Sequence, residues 1–164
     1  QQLRLLLEQA VGQWDHVLID APGSLGMLTT TALAAASGGV IVPTTPDYLA
    51  LEPLKTIIRL INTIQVAYQP GCVLRGVVIN ARANTREHSH HATQLQQVFE
   101  GQVLGTIPRR TVLQDTASAG LPLTRTTTVL GLIAAVSRIR RCCSGGSAMC
   151  VRSMPSVSRP RRKP

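Results

Sequence analysis

An aspartate follows a short apolar segment near the start of the chain, and a proline, glycines and a serine come next. The segment reads HVLIDAPGSLG, in which Asp20 precedes Pro22, Gly23 and Ser24. A carboxylate held at the end of a strand is a hard oxygen ligand that suits Mg²⁺, often through water. Glycines beside it let the backbone pass close to a phosphate. The same pattern also fits an ordinary turn after a strand, so it predicts a metal site only together with other motifs.

Further candidate side chains stand where other predicted strands end. Asn80 ends the segment GVVIN, and Pro108 and Arg109 follow VLGTI. Ligands of parallel α/β sheets gather at the carboxyl ends of the strands. Taken alone, Asn80 after a strand is more typical of a cap or a turn than of a binding residue.

Short apolar segments alternate with helical periodicity along most of the chain. Strands are predicted at residues 16–20, 39–43, 74–80 and 103–107, and helices at 3–11, 25–36, 49–66, 89–99, 111–119 and 128–140. This alternation predicts an α/β fold, with a mostly parallel sheet and helices on both faces. No apolar run reaches the roughly 18 to 20 residues that a membrane-spanning helix needs.

Basic residues are concentrated at the end of the chain. The formal net charge is +9, but residues 138–164 hold eight Lys or Arg and no acid. We therefore expect a nearly neutral domain at residues 1–137, and the end of a last helix with a basic tail lacking regular structure at 138–164. Cys142, Cys143 and Cys150 match no zinc spacing and are expected to be reduced thiols. His88, His90 and His91 have no spaced partner, so no metal is expected there.

Several motifs occur together in one order and resemble the ParA family of partition ATPases. They are WDHVLIDAPGSLG, then VIVPTTPDYLALEPL, GVVIN and IPRRTVLQDTASAGLPL, which together cover about residues 3 to 137. The resemblance implies a nucleotide-binding fold like that of P-loop NTPases, incomplete at its N-terminus. It implies ATP and Mg²⁺ as cofactors, a cytoplasmic and nucleoid location, a homodimer, and a ParB-type partner that stimulates hydrolysis.

The resemblance also assigns roles to individual residues. Asp20 matches the carboxylate that positions Mg²⁺ through water, and Pro22, Gly23 and Ser24 match the switch segment that senses the γ-phosphate. Asn80 matches a reader of the adenine edge, and Pro108 and Arg109 match the loop that closes over the base. Arg82, Arg86, Arg109 and Arg110 fall where the family binds DNA without sequence preference, although each could equally be a solvated surface charge.

One family motif is missing from these 164 residues. The glycine-rich phosphate loop, KGGxxKT, would lie before Asp20, and no such sequence is present. We therefore expect this chain to be the C-terminal portion of a ParA-like ATPase that does not hydrolyse ATP alone. Two alternatives remain: a non-catalytic remnant that binds nucleic acid through its basic tail, and a MinD-type membrane-associated regulator. The ALEPL and IPRR segments favour partition, and the apolar side of residues 129–141 is expected to pack on the sheet rather than on a membrane.

Overall fold

The computed structural model describes residues 2–9, 17–110 and 149–151. The elements are α1 (Gln2–Gln9), β1 (Leu18–Ile19), α2 (Met27–Ala35), β2 (Gly39–Thr44), a 3-10 turn (Tyr48–Ala50), α3 (Leu51–Ala67), β3 (Leu74–Arg82), α4 (Arg86–Val98), β4 (Val103–Pro108) and β5 (Met149–Val151). They fall into two compact units. The first comprises Gln1–Val42, Glu52–Arg75 and Cys142–Pro164, and the second Pro43–Leu51 and Gly76–Arg141. The helices predicted at 111–119 and 128–140 lie outside the described residues.

The first unit contains a strand that the sequence did not predict. β5 lies between β1 and β2 and is parallel to both, with Leu18 opposite Met149 and Val40 opposite Cys150. The apolar residues of β2, from Gly39 to Val42, are all buried, as expected for a parallel strand covered on both faces. The rest of the segment predicted as a tail lies outside the described residues.

Helix α3 confirms its predicted amphipathic pattern. Leu54, Ile61 and Ile64 are buried on one side of the helix, while Lys55 and Arg59 are exposed on the other. This spacing follows the 3.6-residue period, so one continuous apolar stripe contributes to the core of the first unit. Among the described residues, no helix is both long enough and apolar enough to cross a membrane.

The second unit is organised by the pairing of β3 with β4. The strands are parallel, with Val77 opposite Val103 and Arg82 opposite Pro108. They approach so closely that a Cβ on Gly76 would lie 2.5 Å from Cγ of Leu104, so only glycine fits there without displacement. The three described strand pairings are all parallel, which confirms the predicted α/β class.

Helix α4 begins earlier than predicted and leaves one of its apolar residues exposed. Thr85 is its N-cap and accepts a hydrogen bond from the backbone N–H of His88, so the helix starts at Arg86 rather than Ser89. The apolar residues Leu95, Val98 and Phe99 of the predicted helix are those expected to face inward. Leu95 is buried as expected, together with Ala92, but Val98, where the helix ends, is 73% exposed.

Candidate functional site

The loop after β1 lies in the first unit and carries the predicted metal and phosphate residues. Asp20 follows Ile19 at the end of the strand, and its side chain is exposed. Ala21 is buried, whereas every residue from Pro22 to Gly26 is exposed. The loop is therefore anchored at Ala21 and open to solvent beyond it, which leaves its backbone accessible to a ligand.

A buried threonine that the sequence analysis missed holds this loop from behind. Thr29 is only 4% exposed, and its hydroxyl lies 2.6 Å from the carbonyl oxygen of Ser24 and 3.0 Å from that of Pro22. The hydroxyl therefore donates to two carbonyls of the predicted switch segment. The only signal in the sequence was a threonine in the first turn of the helix that follows the loop, which is a common N-terminal choice without functional meaning.

The donor set around Asp20 fits Mg²⁺ held mainly by water. Mg²⁺ keeps several waters and is usually bound by one or two carboxylates together with substrate phosphates. Within the described ranges, no group of three or more His, Cys, Asp or Glu side chains could hold a metal ion. A single exposed carboxylate beside an open loop therefore suits a magnesium–nucleotide complex better than an all-protein metal site.

The predicted base-binding residues lie in the second unit, at the ends of two paired strands. Asn80 is half-buried near the end of β3, and Pro108 ends β4. The backbone N–H of Arg109 donates to the carbonyl oxygen of Arg82 at 2.9 Å, which joins the segment after β4 to the end of β3. The structure therefore brings Asn80, Pro108 and Arg109 to the same end of this strand pair.

The backbone beside Asn80 has an uncommon conformation. Ala81 has φ of 52°, the one positive φ at a non-glycine residue in the part of the chain that the structure describes. The β3–β4 register also shifts between Ile79 and Arg82. A left-handed alanine costs on the order of 1 kcal/mol or more, and such residues concentrate at functional sites. An alanine does not signal this conformation, because glycine or asparagine is the usual residue in it.

The four arginines predicted to bind DNA are all exposed and all belong to the second unit. They are Arg82, Arg86, Arg109 and Arg110. The backbone bond from Arg109 to Arg82 places two of them side by side. Arg82 also reaches the Ser89 hydroxyl, with Nη2 at 3.4 Å. The backbones of Arg82 and Arg109 are thus neighbours at one strand end, and both side chains are exposed.

The histidines of α4 make contacts with neighbouring side chains. His88 lies against Asp47, His91 Nδ1 is 3.0 Å from Oε1 of Gln94, and the His90 and His91 ring centroids are 5.5 Å apart. Each of the three rings therefore has a neighbouring side chain as a partner.

Comparison with known proteins shows where the chain is similar to characterised families. A family model described as "AAA domain" matches residues 1–72. The chromosome partitioning protein ParA of Myxococcus xanthus is 31% identical over 124 residues, which cover 74% of this chain and 44% of that protein. The sporulation initiation inhibitor protein Soj of Bacillus subtilis is also 31% identical over 124 residues, covering 74% of this chain and 49% of that protein.

A solved structure shares the fold. The cell division ATPase MinD of Pyrococcus furiosus matches with a TM-score of 0.68 at 16% identity, over 85% of this chain and 57% of that one. At this identity the match concerns the fold, and it confirms the predicted likeness to P-loop NTPases. The chain spans less than half the length of the two curated relatives named above.

Proposed function

This chain is a homologue of the ParA and Soj partition ATPases, and we propose that it serves the ATP-dependent partitioning of plasmid or chromosome DNA. In this proposal the protein forms a homodimer with ATP, binds nucleoid DNA without sequence preference in the cytoplasm, and is released when a ParB-type partner stimulates hydrolysis. A non-specific, charge-driven contact with DNA suits such a cycle because it is easily reversed.

The loop after β1 is the observation that carries this proposal. Asp20 is exposed at the end of the strand, and the buried Thr29 hydroxyl ties two carbonyls of the following segment. We assign Asp20 the role of holding Mg²⁺ through water. We assign Pro22, Gly23 and Ser24 the role of sensing the γ-phosphate. When bound, the metal would neutralise charge on the phosphates. Because Thr29 anchors the loop to α2, a shift in the loop would be passed to that helix.

The adenine ring and the DNA are assigned to the second unit. Asn80 would read the base edge with its amide, and Pro108 and Arg109 would cover the ring. Arg82, Arg86, Arg109 and Arg110 would contact phosphates. The exposure of all four arginines, and the bond that places Arg109 beside Arg82, support this assignment.

We propose ATP hydrolysis only for a protein that contains the phosphate loop in addition to these residues. No KGGxxKT sequence occurs in these 164 residues, so we propose that residues 1–137 work as the C-terminal portion of the nucleotide-binding domain. Within residues 138–164, Met149–Val151 forms β5, and the basic residues that follow it would add a positively charged extension. Sequencing the gene upstream of Gln1 tests this directly, and an upstream region without the loop in frame would contradict it.

The decisive experiment uses a protein that contains this chain together with the upstream phosphate loop. It measures how much duplex DNA of arbitrary sequence this protein retains with and without ATP. We expect ATP-dependent retention that Asp20→Ala abolishes. Glu100→Ala is the matched control, because Glu100 is an exposed carboxylate in the turn before β4. Retention that is equal with and without ATP, or that survives Asp20→Ala, would contradict the proposal.

The basic tail supports a second candidate function. Eight Lys or Arg without an acid in residues 138–164 could bind nucleic acid by charge alone. Retention that is indifferent to ATP and lost on deletion of residues 152–164, which keeps β5 in place, would favour this non-catalytic role. Flotation of the chain with anionic liposomes would instead favour a MinD-type membrane-associated regulator.

A further inference from the structure

The ring of His88 joins two segments of the second unit, each of which follows a different strand. Its Nε2 lies 3.0 Å from Oδ1 of Asp47, in the loop after β2. Its Nδ1 accepts the backbone N–H of Ala83, after β3, at 3.1 Å. The ring is largely enclosed, with 18% of the side chain exposed. One side chain in the first turn of α4 therefore connects both segments.

These two contacts fix the tautomer of the ring. Because Nδ1 accepts a backbone N–H, it carries no proton, so Nε2 carries the proton and donates it to Asp47. The opposite tautomer would place two N–H groups against each other at Ala83. The Asp47 carboxylate therefore selects the form of His88 that can receive the Ala83 amide, as carboxylates commonly do for functional histidines.

Asp47 is directed at this ring rather than at its own helix. It occupies the N-cap of the 3-10 turn, a position where aspartate usually bonds to the backbone, yet its side chain makes no capping bond. The backbone N–H of His88 is itself bound to the Thr85 hydroxyl at 3.2 Å, which fixes the base of the ring. The backbone of His88 is therefore held by Thr85, while its ring is held by Asp47.

The segment that His88 holds is the strained one beside Asn80. Ala81 has φ of 52°, and a left-handed alanine persists only where surrounding contacts impose it. The Ala83 N–H bond to His88 lies two residues after it, and the Arg82 carbonyl is held by Arg109 N–H at 2.9 Å. Both bonds are made by the peptide group between Arg82 and Ala83, and they hold the backbone directly after the left-handed residue beside Asn80.

We propose that Asp47 and His88 form a positioning pair that holds the backbone of residues 81–83 and thereby orients Asn80 to select adenine over guanine nucleotides. This inference rests on the proposed nucleotide-binding function and adds residues to it that the sequence motifs do not indicate. Neither side chain needs to touch the base. Their effect passes through the Ala83 amide and the left-handed turn.

The two ring nitrogens can be tested separately. His88→Asn places an amide oxygen near the position of Nδ1 and keeps an acceptor for Ala83, whereas His88→Gln reaches toward Asp47 and removes that acceptor. We expect the Ala83 amide to exchange with deuterium about five- to tenfold faster in His88→Gln and His88→Ala, as expected for the loss of one hydrogen bond. His88→Asn should exchange at close to the unaltered rate. His90→Ala, an exposed neighbour on the same helix, is the control and should change nothing.

The preference for ATP over GTP distinguishes positioning of Asn80 from a merely structural role of the pair, which would leave this preference unchanged. Titration calorimetry compares the affinities for Mg-ATP and Mg-GTP of a protein that contains this chain and the upstream phosphate loop. Circular dichroism confirms that each variant is folded. We expect the ATP-to-GTP preference to fall about fivefold or more in His88→Gln and in Asp47→Ala, and to be restored in His88→Asn. An unaltered preference in a folded His88→Gln, or an unaltered Ala83 exchange rate, would overturn the positioning role alone. No ATP preference in the unaltered protein would instead overturn the assignment of Asn80 in the proposed function.

Discussion

Replacing Thr29 with valine tests whether the loop after β1 is held by one buried hydroxyl. The substitution keeps the branched shape of the side chain and removes only the donor to the Ser24 and Pro22 carbonyls, at 2.6 and 3.0 Å. Since Thr29 is 4% exposed, water does not replace the lost hydroxyl at its own position. The two carbonyls belong to exposed residues, so water can reach them once the loop loosens.

The expected magnitude follows from these two facts. A hydroxyl has a single proton, so the two contacts share one hydrogen bond whose net contribution is about 1 kcal/mol. Because both acceptors can be rehydrated, no further penalty for a buried unpaired carbonyl applies. We therefore expect a loss of about 1 kcal/mol in the free energy of unfolding, which corresponds to a fall of about 2–4 °C in melting temperature for a chain of this size.

Urea denaturation and amide exchange measure the global and local effects. The midpoint should fall with an unchanged m value, and the amides of Ala21 and of residues 23–26 should exchange about fivefold faster. Thr31→Val is the control, because its hydroxyl donates to the Met27 carbonyl within the same helix, at 2.8 Å. That change should stay within about 0.5 kcal/mol. Equal effects of the two substitutions, or unchanged exchange in the loop, would refute the reasoning.

Three further predictions concern the packing of Gly76, the pH dependence of stability at Cys72 and the salt dependence of DNA binding. Gly76→Ala should lower stability by about 1–3 kcal/mol in thermal melts, because a Cβ would lie 2.5 Å from Cγ of Leu104. Burial raises the pKa of the Cys72 thiol from 9.0 to about 11. Because the pKa is higher in the folded state, the contribution of this thiol to the free energy of unfolding is complete below pH 9 and is lost as the pH rises toward 11. In urea titrations at several pH values, Cys72→Ala should therefore show a smaller decline in stability between pH 9 and 11 than the unaltered protein. Arg82→Ala and Arg109→Ala should each reduce the salt dependence of DNA binding by about one unit of slope, and an unchanged slope would remove that residue from the interface.

Periodicity predicted α3 and β2 because each has a continuous apolar face. The stripe along α3 and the uninterrupted apolar run of β2 follow directly from residue spacing, and both are buried as expected. Motif order likewise placed Asp20 after β1 and Asn80 near the end of β3. These features depend on residues near one another in the chain, which a sequence displays openly.

What the sequence did not predict depends on contacts between distant residues. The Thr29 hydroxyl is informative only once the loop folds back over it, and the Asp47–His88 contact joins loops after two different strands. The left-handed Ala81 is imposed by its surroundings and not by its own preference. The start of α4 was misplaced because the Thr85 cap, and not the apolar pattern, sets where the helix begins.

The position of β5 bears on how the chain is made. A ribosome synthesises β1 and β2 long before Met149–Val151 emerges, yet that strand lies between them and pairs with both. Until then, the facing edges of β1 and β2 present unpaired backbone groups that a strand of another nascent chain can occupy. Assembly of the first unit is therefore completed after translation of its last strand, and a ribosome that stalls before residue 149 leaves a product open to aggregation.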